Sequence, residues 1–184
     1  MATIDDIGDW FTDRDREAWD AFAQGADVPS EQDVADLEAE IGFRLPDQVR
    51  ELAFHPLGGL FIEAKEELWP QPQAHDVGPA WTFQNGLMAF SLSEEAPEWM
   101  QTRTALDRFR EYFPDLTGRL PVLKRSSDPL MWTINAEGEL AMFIPGLEDE
   151  PSIFEGDFFD LVLDEIRELV ERLARKLAGE DRAS

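Results

Sequence analysis

The stretch SEQDVADLEAEIGFRLPDQVRELAFHPLGG, residues 30–59, decides the fold of this chain. Ser30, with Asp33 three residues later, has the spacing of a capping box, so a helix is predicted to begin there. Gly42 is the residue type that adopts the left-handed backbone closing a helix. Between these ends, apolar side chains recur at steps of three and four residues and make one stripe. That stripe consists of Val34, Leu37 and Ile41.

The second half of this stretch predicts a shorter helix followed by a turn. Leu45 and Pro46 restart the chain as a helix, because proline is well tolerated in a first helical turn. Pro56 ends that helix. The pair Gly58-Gly59 then permits a turn that residues with a side chain adopt only with difficulty. The strand predicted to follow comprises Leu60, Phe61 and Ile62.

The order of these parts resembles the SUKH superfamily, whose members carry a Leu-Glu pair, a glycine, a Leu-Pro pair and a Gly-Gly turn at about these distances. The matching residues in this chain are Leu37, Glu38, Gly42, Leu45, Pro46, Gly58 and Gly59. One departure is that His55-Pro56-Leu57 precedes the double glycine, where members often carry Asn. Further along the chain, four segments agree with the family in order. They are Leu68-Trp69-Pro70, Leu120-Pro121-Val122, the hairpin sequence of residues 135–138 and Phe158-Phe159.

The resemblance implies a function in binding. Many bacterial members of the family are immunity proteins, which bind a cognate toxin and block its active site. Such toxins are often nucleases or nucleic-acid deaminases, and their substrate grooves are basic. The same family includes a fungal cell-wall-synthesis regulator, so a housekeeping regulatory or scaffold module without a toxin partner stays open as the alternative.

Length and composition predict one folded domain in a reducing compartment. The chain has 184 residues, with 13 Phe and six Trp to build a core and no cysteine. Its first residues are acidic where a signal peptide is basic, and no apolar run has the length of a membrane span. We therefore expect a cytoplasmic protein with a single SUKH-like domain over residues 1–178 and a frayed tail over 179–184.

The net charge of −24 and the pI of about 4.2 predict the kind of partner. Such a negative potential repels nucleic acid and anionic membranes and attracts basic proteins. Solubility alone, or adaptation to high salt, would produce the same acidity, and both possibilities stay open. Only three of the 16 cationic residues are lysines, which suits either salt adaptation or a GC-rich genome. The sequence gives no oligomeric state.

The remaining elements are predicted from hydrophobic spacing. Residues 4–24 suggest one or two amphipathic helices, and Asn85-Gly86 suggests a hairpin joining a strand at residues 81–83 to one at 87–92. Asp157 is predicted to cap a long last helix with a continuous inner face that includes Val170. Since strands joined by hairpins cannot all be parallel, the fold class is α+β, with an antiparallel or mixed sheet flanked by helices. The other predicted elements are a helix over 97–113 and strands over 120–123, 130–134 and 140–144.

Catalytic motifs are missing from the sequence, so we expect no enzyme, no cofactor and no metal centre. The two histidines, His55 and His75, do not have the spacing of a zinc site. Residues 148–150 lack the ligand pattern of a calcium loop, and the longest basic run is Lys124-Arg125, too short for a nucleic-acid patch. An enzyme would need a pocket with convergent polar groups.

A surface for a basic protein partner is the remaining prediction. It joins acidic residues after the double glycine with an acidic run late in the chain, and it includes one aromatic anchor. Each of these charges can equally be a solvated loop charge. The predicted partner-binding residues are Glu63, Glu66, Glu67, Trp69, Asp76, Glu148, Asp149 and Glu150.

Overall fold

The computed structural model describes residues 1–70, 80–126 and 128–179. Five α-helices occur within these ranges: α1 (Ile4–Asp13), α2 (Glu31–Ile41), α3 (Asp47–Phe54), α4 (Thr102–Tyr112) and α5 (Phe158–Ala178). The strands are β1 (Trp19–Phe22), β2 (Phe61–Ala64), β3 (Gly86–Ala89), β4 (Leu120–Arg125), β5 (Trp132–Ile134), β6 (Leu140–Met142) and β7 (Ser152–Phe154). Short 3-10 helices cover Ala80–Phe83 and Glu98–Met100.

The strands form one antiparallel sheet whose spatial order is the chain order, β1 to β7. The predicted α+β class is therefore confirmed. Of the two predicted sheet types, antiparallel and mixed, the sheet is antiparallel. The hairpin between β5 and β6 turns at Gly138, as predicted, with Ile134 opposite Leu140. The predicted division into a domain over residues 1–178 and a tail stays a prediction, and residues 180–184 of that tail lie outside the described ranges.

The two faces of the sheet pack against different helices, because side chains alternate along each strand. Leu87 and Ala89 of β3 point into a large core that contains residues from α1, α2, α3 and α5. Met88 and Phe90 point to the opposite face, into a smaller core with Phe109 of α4. The chain thus has three layers, and α4 is the only α-helix among the described residues whose side chains enter that smaller core.

The local signals of residues 30–59 act as the sequence predicts. Asp33 donates its backbone N–H to the Ser30 side chain and accepts from the Ser30 backbone, which completes the capping box. Gly42 ends α2 with φ of 83°, in the left-handed region. Glu38 of the family motif accepts the backbone N–H of Leu45 at 2.9 Å, so its carboxylate fixes the connection between α2 and α3.

The double glycine has a specific steric role beside the side chain of Gln24. Gln24 donates from Nε2 to the carbonyl oxygens of Ala53 and His55 at the end of α3, at 2.7 and 2.9 Å. A Cβ on Gly58 would collide with this amide and lie 2.7 Å from the Leu52 carbonyl oxygen. Gly59 adopts φ of 62°, which favours glycine. Gly58 is therefore required by the close approach of Gln24, and Gly59 by its left-handed backbone.

Four sequence predictions are wrong in detail. The helix predicted over 97–113 is interrupted at Gln101, whose extended backbone separates a 3-10 helix from α4. Residues 4–24 are not helical throughout, because Trp19 and Phe22 belong to β1, where residue 19 pairs with Ala64 of β2. Residues 81–83 belong to a 3-10 helix, so Asn85-Gly86 opens β3 and does not turn a hairpin. Val170 is 39 % exposed, so it does not belong to the buried face of α5.

A buried ion-pair network fixes α5 against the sheet. The Glu165 carboxylate is 3 % exposed and accepts from Arg125 Nε at 2.7 Å, from Arg125 Nη2 at 2.8 Å and from Trp132 Nε1 at 2.9 Å. These hydrogen bonds raise the pKa of Arg125 against the effect of its burial. The nearby Arg172 is also buried, and desolvation together with the charge of Arg125 lowers its pKa to about 10.

We expect Gly58→Ala to destabilise the protein by about 1–3 kcal/mol, since the new methyl group would overpack against a backbone oxygen. Gly8→Ala, at a position within α1, is the control. A Cβ on Gly8 would lie 3.6 Å from Leu57 Cδ1, which is an ordinary van der Waals contact. This substitution is expected to stabilise by about 0.5–1 kcal/mol. Urea denaturation of both variants measures the difference, and an equal effect of the two substitutions would contradict the steric role.

Glu165→Gln is expected to lower the free energy of unfolding by about 2–3 kcal/mol, because the Arg125 charge is left without its buried partner. Glu171→Gln, at an exposed position on the same helix, serves as the matched control and is expected to change stability by less than about 0.5 kcal/mol. Similar denaturation midpoints for the two variants would show that the network does not hold α5.

Candidate functional site

The predicted acidic residues fall into two groups at the same end of the sheet. Glu66 and Glu67 are exposed in the turn after β2, close to Glu63. Residues 148–150 are exposed in the connection between β6 and β7. Because β2 and β6 are separated by four strand spacings, the strands that carry the two groups lie about 19 Å apart across the sheet. The structure therefore does not combine them into one compact patch.

Trp69 is not available as a surface anchor, because its side chain is fully buried. Its indole Nε1 donates to the backbone oxygen of Thr82 at 2.9 Å, and its ring packs edge-to-face on Trp81 at 6.3 Å. The prediction of Trp69 as an exposed partner contact is thus wrong, and the residue belongs to the core. The predicted contact Asp76, and the histidine His75, lie outside the described residues.

A cluster of three partly exposed aromatic side chains occupies the sheet face opposite the large core. Phe22 and Phe61 lie directly opposite each other on β1 and β2, with ring centroids 5.0 Å apart. Trp99 contacts both rings edge-on, at 6.3 and 5.4 Å. Phe22 is 43 % exposed and Trp99 is 46 % exposed. We call Phe22, Phe61 and Trp99 the aromatic patch.

Carboxylates border the aromatic patch on two sides. Asp20 and Glu63 lie directly opposite each other on β1 and β2. Each is two residues from Phe22 or Phe61 along its strand, so all four side chains are on the same face. Like charges in this arrangement destabilise a sheet. The Asn85 amide donates to Glu63 at 3.0 Å and holds that carboxylate in place. On the other side, a small groove of about 120 Å³ next to Phe22 is lined in addition by Asp27 and Glu95.

The row of facing residues continues across the sheet from Phe22 and Phe61 to Met88 and Lys124. It ends in a pocket of about 330 Å³ between α4, Trp99 and β4. The pocket walls combine apolar and aromatic side chains with two cations. Its lining includes Phe90, Trp99, Arg108, Tyr112, Lys124 and Met131.

The sequence alone does not single out the residues of this face. Phe22 follows Trp19 by three residues, a helical spacing, and this conceals the period-two pattern of a four-residue strand. In the sequence, Lys124 is only one half of a short basic run. Its neighbours on the sheet and on α4 come from distant parts of the chain, so only the strand register reveals the pocket.

The described residues show neither a metal site nor a membrane span. No three potential ligands among histidine, aspartate and glutamate come together in the part of the chain that the structure describes. Among the described helices, none combines the length and apolar character needed to cross a bilayer. Comparison of the chain with protein-family models, curated proteins and solved structures gave no match. The SUKH resemblance therefore stays a prediction based on the residues quoted above.

We expect Asp20→Asn to raise the free energy of unfolding by about 0.2–1 kcal/mol, because it removes a like-charge pair across two strands. Glu66→Gln, in the exposed turn after β2, is the control and is expected to leave stability within about 0.5 kcal/mol of the native protein. Urea denaturation at low ionic strength measures the free energy of unfolding of both variants. A loss of stability in Asp20→Asn would contradict the view that this carboxylate pair is a structural liability.

Proposed function

We propose that this protein is a binding module that neutralises a basic toxin domain, of nuclease or deaminase type, by covering its active site. In this proposal it acts in the cytoplasm, turns over no substrate and binds neither nucleic acid nor membrane. The observation that carries the proposal is the aromatic patch, which is exposed on a rigid sheet and bordered by carboxylates. Such a patch suits a protein surface that presents arginine or lysine side chains.

The aromatic patch supports affinity. Buried aromatic anchors contribute most of the binding energy in protein interfaces, while exposed ion pairs at the rim contribute only about 0.2–1 kcal/mol each. Trp99 and Phe22 offer large apolar areas that a partner can cover, and a partner guanidinium can stack on their rings. Since Phe61 and the 3-10 helix at Glu98–Met100 hold these rings in mutual contact, little side-chain entropy is lost on binding.

The carboxylates support specificity and speed of association. Asp20 and Glu63 place two negative charges side by side, and a single cation of the partner can offset the repulsion between them. Asp27 and Glu95 add charge on the other side of Phe22. The net charge of −24 extends this attraction beyond the patch and raises the rate of encounter with a basic protein. The acidic loop at residues 148–150 lies at the same end of the sheet and adds to the field.

The test uses a toxin domain encoded next to this gene, measured by calorimetry and by stopped-flow association. We expect Trp99→Ala to weaken binding by about 30-fold or more, the effect of losing an interface hot spot of about 2 kcal/mol. Leu177→Ala, at a 60 % exposed position near the end of α5, is the control and is expected to bind like the native protein. The association rate is expected to fall as salt rises.

Two results would overturn the proposal. Failure of every neighbouring toxin domain to bind would exclude toxin neutralisation and favour a regulatory or scaffold module of the same fold. Tight toxin binding that Trp99→Ala leaves unchanged would exclude the aromatic patch as the contact surface.

A further inference from the structure

The pocket beside the aromatic patch contains two positive charges in an otherwise strongly acidic protein. Lys124 projects from β4 and Arg108 from α4, and both line the cavity of about 330 Å³. Neither side chain forms an ion pair with any of the described residues. Other arginines of the chain, such as Arg103 and Arg110 on the same helix, are paired with Glu40.

The surroundings of Lys124 make its unpaired charge costly. The side chain is half-buried, and burial together with the positive charge of Arg108 lowers the pKa of its ammonium group, although Asp128 acts in the opposite direction. Glu111 also lines the pocket, but among the described residues it forms no ion pair with either cation. Two like charges facing one partly desolvated cavity are stabilised when an anion occupies it.

The walls of the pocket favour a flat apolar body next to that anion. Phe90 and Met131 are buried and form part of the lining, while Trp99 and Tyr112 are 46 % and 53 % exposed at its mouth. A cavity of this size is at the small end of the range for organic ligands. Aromatic walls with a few fixed polar groups are the usual composition of such sites.

We propose that this pocket binds a small organic carboxylate, whose carboxyl group lies between Lys124 and Arg108 and whose flat apolar body packs against Trp99 and Tyr112. The site is distinct from the carboxylate-bordered side of the aromatic patch, which suits a cation. Trp99 lies between the two and contributes to both. A ligand in the pocket and a partner on the patch would therefore contact the same Trp99 ring.

Phenylacetate and its neutral isostere phenylacetamide serve as probes, titrated against the full chain by two-dimensional ¹H–¹⁵N NMR of the indole groups. Trp99→Phe assigns the Trp99 signal. We expect phenylacetate to shift that signal saturably and to bind at least about tenfold more tightly than the amide, since a charge-assisted contact adds about 1.4 kcal/mol or more. The signal of the buried Trp69 is expected to stay unchanged.

Variants distinguish a charge effect from a general apolar effect. Lys124→Met keeps an apolar stem and is expected to abolish the preference for the acid over the amide. Lys124→Arg restores the charge and is expected to restore the preference. Arg44→Gln, which removes an exposed cation after α2, is expected to change nothing.

The proposal is overturned if the acid and the amide bind equally, if neither shifts the Trp99 signal saturably, or if Lys124→Met retains the preference for the acid. Circular dichroism of each variant confirms that it is folded. Because these probes need no toxin, failure here leaves the toxin-binding proposal standing, and failure of toxin binding leaves this pocket standing.

Discussion

Both faces of this seven-stranded sheet carry buried apolar side chains, and the described helices cover the two faces unequally. One face packs against residues of α1, α2, α3 and α5, whereas only α4 and a 3-10 helix among the described elements pack on the other. A helix of 11 residues is about 16 Å long, and seven strands span about 29 Å. Part of the second face therefore has no helix from the described ranges packed on it. The aromatic patch and the pocket lined by Arg108 and Lys124 both lie along the margin of α4.

The helices on the large core hold the sheet in one arrangement, so the opposite face presents its side chains on a fixed support. Glu165 of α5 links Arg125 of β4 to Trp132 of β5 in a buried network, so the longest helix and the central strands are tied together. At the other end, Gln24 ties β1 to the end of α3 through the space that Gly58 leaves open. The strand that presents Asp20 and Phe22 is thus held by β2 along its length and by α3 at its end, and these side chains are displayed in one arrangement.

The fold can be predicted from the sequence where its signals are local. The candidate site cannot, because its residues are brought together by the register of the strands. The capping box at Ser30, the left-handed Gly42 and the Asp157 cap each act within a few residues, and each is found as predicted. The acidic residues before Trp69 favour a surface position for it, but its indole is satisfied by a buried carbonyl oxygen 13 residues later. The pairing of β2 with β3, and of β3 with β4, joins residues far apart in sequence. The row from Phe22 to Lys124 across the sheet therefore cannot be predicted from spacing along the sequence.

The face around Trp99 is open to solvent, and this exposure makes it available to a ligand or partner. Fluorine NMR of the protein labelled with 5-fluorotryptophan tests it directly, with Trp99→Phe to assign the signal. We predict that a neutral paramagnetic agent broadens the Trp99 signal strongly while the signal of Trp69 stays sharp. Equal protection of the two signals in the free protein would show that this face is covered and is not available for binding.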